Sequence, residues 1–387
     1  MNYRNIRLFY GLEAILALSG GIILPVYVLY FRASQVTLFQ VALLAAVFEA
    51  SIILFEVPTG RFADRFGRRL STVIGFGLMG VAGLIFSIYR DFHGFLAAEI
   101  IMGIGESFIS GALEALAVES VAPGKRPNVL AGLFANRTVF RTSGLLAGMI
   151  LGGFIISHWP EAVFWPMIFL GGTGAFLALA LRERQADLEI TAGTHLPSKS
   201  TLKAIFGNRL VMILFGAGLL ANFAFEPADQ YWQVMFSEIR HIPPVYFGIM
   251  TAAGLSLVVL TGKLTSRLYR YLSGYLSIAM LIAAAGMFLA AVGPSGSAIA
   301  GIIAYFAVRE LIRPAISTHL NRSFEGEKRA TYLSFYNLTC SIGEVAAGLL
   351  AGILAAWQGV VFVFYFAVVA GLFLTGFVWT GLRRKPA

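Results

Sequence analysis

The sequence predicts an all-α membrane protein with twelve transmembrane helices in two pseudo-symmetric six-helix bundles. Three observations point there. The chain is 58% hydrophobic and only 13% charged, with mean hydropathy +0.79, whereas a soluble domain carries roughly a quarter charged residues. Apolar stretches of roughly 20 residues, enough to cross a ~30 Å hydrocarbon layer, recur twelve times. Finally, the basic segment Thr59-Gly60-Arg61-Phe62-Ala63-Asp64-Arg65-Phe66-Gly67-Arg68-Arg69 joins the second stretch to the third. It returns 202 residues later, in faded form, from Thr261 to Tyr271. A duplicated basic connection between apolar helices is the mark of a transporter built from internal repeats.

The spans follow in order. The first, 6–31, is too long for a signal peptide and has no clear cleavage site, so it is read as a helix. Spans 36–59 and 70–90 flank the basic segment, which reads as a helix–helix loop. Next come 93–118 and 129–157. The latter holds Gly144, Gly148 and Gly152 at four-residue spacing, a pattern that lets helices approach closely. Span 162–181 ends the first half. Arg182 to Asn208 is polar, with Pro197, Ser198 and Ser200. It divides the chain into a bundle over 1–182, a cytoplasmic connection over 183–208 and a second bundle over 209–387. The second bundle holds spans 209–236, 245–264, 273–292, 296–319, 330–356 and 358–381.

Charge sets the orientation. With the N-terminus inside, 22 of the 29 Lys and Arg residues fall on the cytoplasmic side. Only Arg32, Arg90 and Arg240 fall outside, and four lie within spans. Such a bias orients a chain with both termini cytoplasmic. The net charge of +9 is therefore membrane topology and no sign of nucleic-acid binding. The single Cys340 lies in an apolar span, so no intramolecular disulfide is possible and no metal site is indicated. No cofactor is expected.

An ionisable group in the bilayer costs about 2.5–3.5 kcal/mol on insertion scales and marks a functional site by default. Ten acids lie within spans: Glu13, Glu49, Glu56, Glu99, Glu106, Glu114, Glu226, Asp229, Glu310 and Glu344. Four arginines join them: Arg137, Arg141, Arg309 and Arg313. Spans 3, 6, 9 and 12 carry none in their apolar cores, which assigns them to the lipid-facing periphery. Past span 9 the repeat runs at an offset of 203, which places Glu106 on Arg309 and Arg141 on Glu344. Glu106 and Arg141 lie at matching depths, about 12–13 residues from the inner ends of their helices at 1.5 Å per residue. The expected pairs are thus Glu106–Arg141 and Arg309–Glu344, with Glu114–Arg137 as a third. They either lock helices together or re-pair when a proton or substrate arrives. A buried carboxyl without a fixed partner favours its neutral form, which suits a proton carrier, and Glu49, Glu99 and Glu226 are the candidates. A substrate cavity with aromatic walls and a few polar groups is expected around Asn136, Asn222, Glu226, Gln230, Trp232, Glu310, Arg313, Tyr336 and Asn337. Trp232 also suits an interfacial belt.

The spacing Gly60, Asp64, Arg65, Gly67, Arg68, Arg69 resembles the Gly-x-x-x-Asp-Arg-x-Gly-Arg-Arg motif between helices 2 and 3 of the major facilitator superfamily, and the likeness covers nearly the whole chain. The resemblance implies a twelve-helix fold with helices 3, 6, 9 and 12 outermost. It also implies a gating latch in which Gly60 permits close helix approach and Asp64 meets the N-terminal end of helix 11. Arg65 and Arg68 would complete an inner charge network. In the second copy Ser266 replaces the Asp and Tyr269 the second Gly. Two strings depart from drug–proton antiporters of the family. Glu99, and no Arg, precedes Gly103-Ile104-Gly105, and Met149 follows Gly148 where a Pro is common.

The expectation is a secondary transporter of a small organic solute working by alternating access in the direction of proton-coupled efflux, with proton-coupled uptake as the alternative. Its partners are the substrate, protons and the bilayer, and it is expected to be a monomer in the inner membrane. A transport-inactive sensor is a different class, but it needs an output domain and no stretch is long enough. No phosphate-binding Gly-rich motif indicates an ATP-driven pump. The five His residues are scattered over both sides, which disfavours an enzyme.

Overall fold

The computed structural model describes residues 3–121, 126–183, 207–268, 271–323 and 328–383. Among them every regular element is helical. In chain order they are α1 (Tyr3–Ile23), α2 (Tyr27–Ala33), α3 (Leu38–Phe66), α4 (Arg68–Ile88), α5 (Phe92–Glu119), α6 (Arg126–His158), α7 (Trp165–Leu179), α8 (Arg209–Val234), α9 (Val245–Leu268), α10 (Leu272–Val292), α11 (Ser295–Ser323), α12 (Lys328–Gln358) and α13 (Val360–Arg383). A π-helical turn, Met235–Ile239, extends α8. Among the described residues ten helices are long and apolar enough to cross a membrane, and Val245–Thr261 is a shorter apolar one. The tenth predicted span is the 29-residue α11. It is the least apolar of the long helices because it carries Arg309, Glu310 and Arg313.

Two predicted spans change shape. The first is a pair of helices, interrupted at Leu24–Val26. Pro25 has no N–H to donate, and its ring crowds the carbonyl one turn back. The basic segment, read as a loop, is helical through Phe66 and breaks at one residue. Gly67 has φ +101°, a conformation that side chains disfavour, and α4 begins directly after it. Prolines inside α3 (Pro58), α8 (Pro227) and α11 (Pro314) do not end their helices. Nearby hydroxyls engage backbone carbonyls, as when Thr318 Oγ1 donates to Pro314 O at 2.7 Å.

The chain forms two compact units. The first comprises Met1–Val36, Leu44–Gly193 and Pro243–Ile249; the second comprises Thr37–Leu43, Thr194–Ile242 and Met250–Ala387. The expected connection over 183–208 lies mostly outside the described residues. In the first unit α1 packs on α6, and α4 packs on both α5 and α7. In the second, α8 packs on α12 and α13, and α10 packs on both α11 and α13. Counted as spans, the pairs 1–5, 3–4 and 3–6 become 7–11, 9–10 and 9–12. The repeat is therefore a repeat of packing, and not of one motif alone.

Small residues set these contacts. Gly144, Gly148 and Gly152 lie along α1, where a Cβ on Gly148 would strike Leu18 O. Gly75 and Gly105 lock α4 to α5, each facing the other's carbonyl, as Gly286 and Gly301 lock α10 to α11. Outward faces are apolar and large: Phe169 and Phe176 on α7 are 69% and 74% exposed, and Phe373 on α13 is 68% exposed. Exposure on that scale suits lipid, since water-soluble surfaces rarely display contiguous apolar patches.

Candidate functional site

Each unit sets an acid from its first long helix against arginine. In the first unit that acid is Glu13 on α1, 2% exposed. Arg137 and Arg141 stand one turn apart on α6 and so share a face. Arg137 Nε reaches Glu13 Oε1 at 2.7 Å, and Arg141 Nη1 reaches Glu13 Oε2 at 3.2 Å. The far side of Arg137 pairs with Glu114 of α5 at 2.8 Å, and its guanidinium lies 5.9 Å from the Phe9 ring. Glu114–Arg137 was anticipated, whereas Glu106–Arg141 is corrected: Arg141 takes Glu13. The glycine run presses α6 along α1, so the arginine face of α6 turns to α1; Glu106 stays within electrostatic range of Arg141 without an ion pair to it. Asn136 donates to Tyr10 Oη at 3.5 Å. Tyr10 in turn stacks on Phe140 with centroids 5.1 Å apart.

In the second unit Asp229 of α8 forms an ion pair with Arg309 of α11. It also accepts a 2.7 Å hydrogen bond from Tyr305 Oη, whose single proton is shared with Phe225 O at 3.0 Å. Glu310 touches Arg309 at 3.4 Å. The expected Arg309–Glu344 ion pair is not formed, because Asp229 holds the guanidinium; Glu344 of α12 acts on Arg309 and Arg313 from beyond contact distance. Arg313 makes no ion pair within 4 Å among the described residues. Its Nη2 donates to Asn337 Oδ1 of α12 at 3.1 Å. Around it a recess is lined by Asn222, Phe225, Arg309, Ile312 and Tyr336. Asn222 Nδ2 donates to Gly218 O at 2.9 Å, and Tyr336 is buried against Gly218.

Other predicted residues separate by surroundings. Glu99 on α5 is 5% exposed and has no ion-pair or hydrogen-bond partner among the described residues. Glu49 lies on α3 and Glu226 on α8, both half-buried. Gln230 is 1% exposed with both amide atoms unsatisfied. Gly348 of α12 faces it, and a Cβ there would stand 3.5 Å from its Oε1. Trp232 is buried in the second unit with its ring edge-on to Phe306 at 5.1 Å, so it is a packing residue and no interfacial belt. Glu13 and Asp229 were visible as intramembrane acids, yet only the structure picks them as the arginine partners.

The basic segment builds a charge chain inside the first unit. Arg68 approaches Asp64 at 3.9 Å and forms an ion pair with Glu119 at the end of α5. Arg65 lies 5.3 Å from the Phe66 ring. Glu183 Oε1 accepts from Arg69 N at 2.6 Å, so a carboxylate from beyond α7 caps α4. Neither Glu119 nor Glu183 carried a motif. A Cβ at Gly60 would touch nothing within 4 Å, so close approach is not its role among the described residues. The contact expected of Asp64 at the start of helix 11 falls on 324–331, whose side chains lie outside the described residues. The same holds for 262–267 and 269–270 of the second copy.

The pattern of the Major Facilitator Superfamily matches residues 10–311. The MFS-type transporter YxaM of Bacillus subtilis (strain 168) is 25% identical over 380 residues, spanning 95% of this chain and 92% of that protein. Multidrug resistance protein 1 of the same organism is 24% identical, spanning 91% and 90%. The quinolone resistance protein NorA of Staphylococcus aureus (strain MRSA252) is 23% identical, spanning 90% of each. Among solved structures, the nucleoside transporter NupG superposes with TM-score 0.80 at 13% identity, covering 100% of both chains.

Proposed function

Because this chain belongs to the major facilitator superfamily, a family of membrane transporters, we propose that it exports a small organic solute by alternating access, coupled to inward proton flow. The coarse reading, a multi-pass membrane transporter and not an enzyme, follows from the family. The direction is our own step, and two relatives named for multidrug and quinolone resistance support it. Both termini are assigned to the cytoplasm of the cell membrane, in keeping with the basic bias of the loops.

Proton coupling rests on one observation, the buried and unpartnered Glu99 in a unit whose two arginines within spans, Arg137 and Arg141, are already taken by Glu13 and Glu114. A carboxyl with no cation beside it in an apolar setting is cheapest as the neutral acid. It gives up its proton when water or a cation reaches it. Glu99 is therefore assigned to carry the proton, and Glu13 with its two arginines to respond by re-pairing. Nothing in this scheme calls for a bound cofactor.

The test is transport in proteoliposomes under an imposed pH gradient, with a panel of cationic dyes, quinolones and metabolites. Solute movement should accelerate when the gradient drives protons against it. In Glu99→Gln the acceleration should vanish while exchange of solute without a gradient persists. Transport indifferent to the gradient in the parent protein would remove proton coupling from the reading.

A further inference from the structure

We propose that the recess around Arg313 in the second unit is an anion subsite, and that the transported solute carries a carboxylate on an apolar body; this rests on the transporter reading above. Four arginines lie within the spans, and three are neutralised in place. Arg137 has Glu13 and Glu114, Arg141 has Glu13, and Arg309 has Asp229 and Glu310. Arg313 makes no ion pair within 4 Å among the described residues; Glu344 acts on its charge only from beyond contact distance. It lies ten residues before the end of α11 at Ser323, about 15 Å deep at 1.5 Å per residue. It is exposed there. A guanidinium at that depth cannot face hydrocarbon, so it faces a wet cavity.

Its one hydrogen bond orients it. Asn337 Oδ1 accepts from Nη2, and the remaining N–H groups have no partner among the described residues. An arginine held at one corner presents the rest of its planar fork, the geometry that takes a carboxylate through two parallel hydrogen bonds. Arg309 also lines the recess, which no Asp or Glu lines. Asn222 adds a polar group to the wall, and Phe225, Ile312, Ile316 and Tyr336 are its large apolar part; the recess holds about 30 Å³, room for the carboxylate itself with the apolar body outside it.

The experiment measures binding to the purified full-length protein in detergent, without a gradient. The probes are benzoate, nicotinate and indole-3-acetate, each beside its own primary amide. At least one acid should bind about tenfold more tightly than its amide, the effect of hydrogen bonds to a charged group. Arg313→Gln should bring acid and amide within about twofold of each other, and Arg313→Lys should keep part of the preference because it retains charge without the fork. Asn337→Asp offers the guanidinium an internal carboxylate and should erase the preference while the protein stays folded. The proposal fails if no acid outbinds its amide, or if Arg313→Gln or Asn337→Asp keeps the full preference. Uptake into proteoliposomes separates this inference from the transporter reading. Amides carried as readily as acids would overturn the anion class and leave a transporter. Acids bound preferentially but never carried would keep the subsite and overturn transport.

Discussion

Glu13 meets two arginines with one carboxylate, and that sharing ranks the residues. Glu13 is buried and touches both Arg137 and Arg141; Arg137 touches two acids, and Arg141 one. Removing one member of a buried pair strands the other, at a loss of about 3 kcal/mol. Glu13→Gln should therefore lower the thermal midpoint most, Arg137→Gln less, and Arg141→Gln least, since Arg141 is 49% exposed. Equal effects in a melting series would contradict the shared-acid geometry. These acids and arginines were legible as intramembrane charges. Their partners were not. A guanidinium on a long stem reaches several acids at one depth, and helix rotation about its own axis selects among them. Matching depth alone chose Glu106 for Arg141, whereas the turn of α6 toward α1 chose Glu13.

At the scale of elements, the junction between α3 and α4 carries a specific expectation. Gly67 sits at φ +101°, and a Cβ there would press on the Glu183 carboxylate. Gly67→Ala should lose about 1–3 kcal/mol through backbone strain. Glu183→Ala removes the carboxylate from the first turn of α4, where the helix dipole favours it, and should lose about 1 kcal/mol. Both are read as shifts in unfolding of the detergent-solubilised protein, and a Gly67→Ala protein as stable as its parent would refute the strain. The motif spacing marked Gly67 from sequence, while Glu183 stands 116 residues further on and meets α4 only through the fold. The break at Pro25 follows a local rule, yet apolar length alone hid it, since a 26-residue run of apolar side chains reads the same with or without a bend.

For the molecule as a whole, the two units repeat a packing order, and each pins an arginine with an acid from its leading long helix, α1 or α8. The arginine comes from span 5 in the first unit and from span 10 in the second. The repeat has thus kept the device while moving the base to a different helix. Topology gives the expectation at this scale. Affinity tags at either end of the chain should be accessible only from the cytoplasmic side in intact cells, and labelling of either from outside would invert the assignment.

Hydropathy, basic bias and motif spacing are properties of the chain read in one dimension. A bilayer converts the first directly into spans, because an apolar run must cross, and the motif spacing points to the family. The sequence by itself therefore determined the membrane class, the positions of the spans, the repeat and the embedded charges. Only the tertiary structure decided that Glu13 and Asp229 hold the arginines, that Arg313 alone of the four arginines makes no ion pair within 4 Å among the described residues, and that Glu183 caps α4. Those choices depend on helix rotation and on close approach at glycine, and both are settled when helices pack against one another.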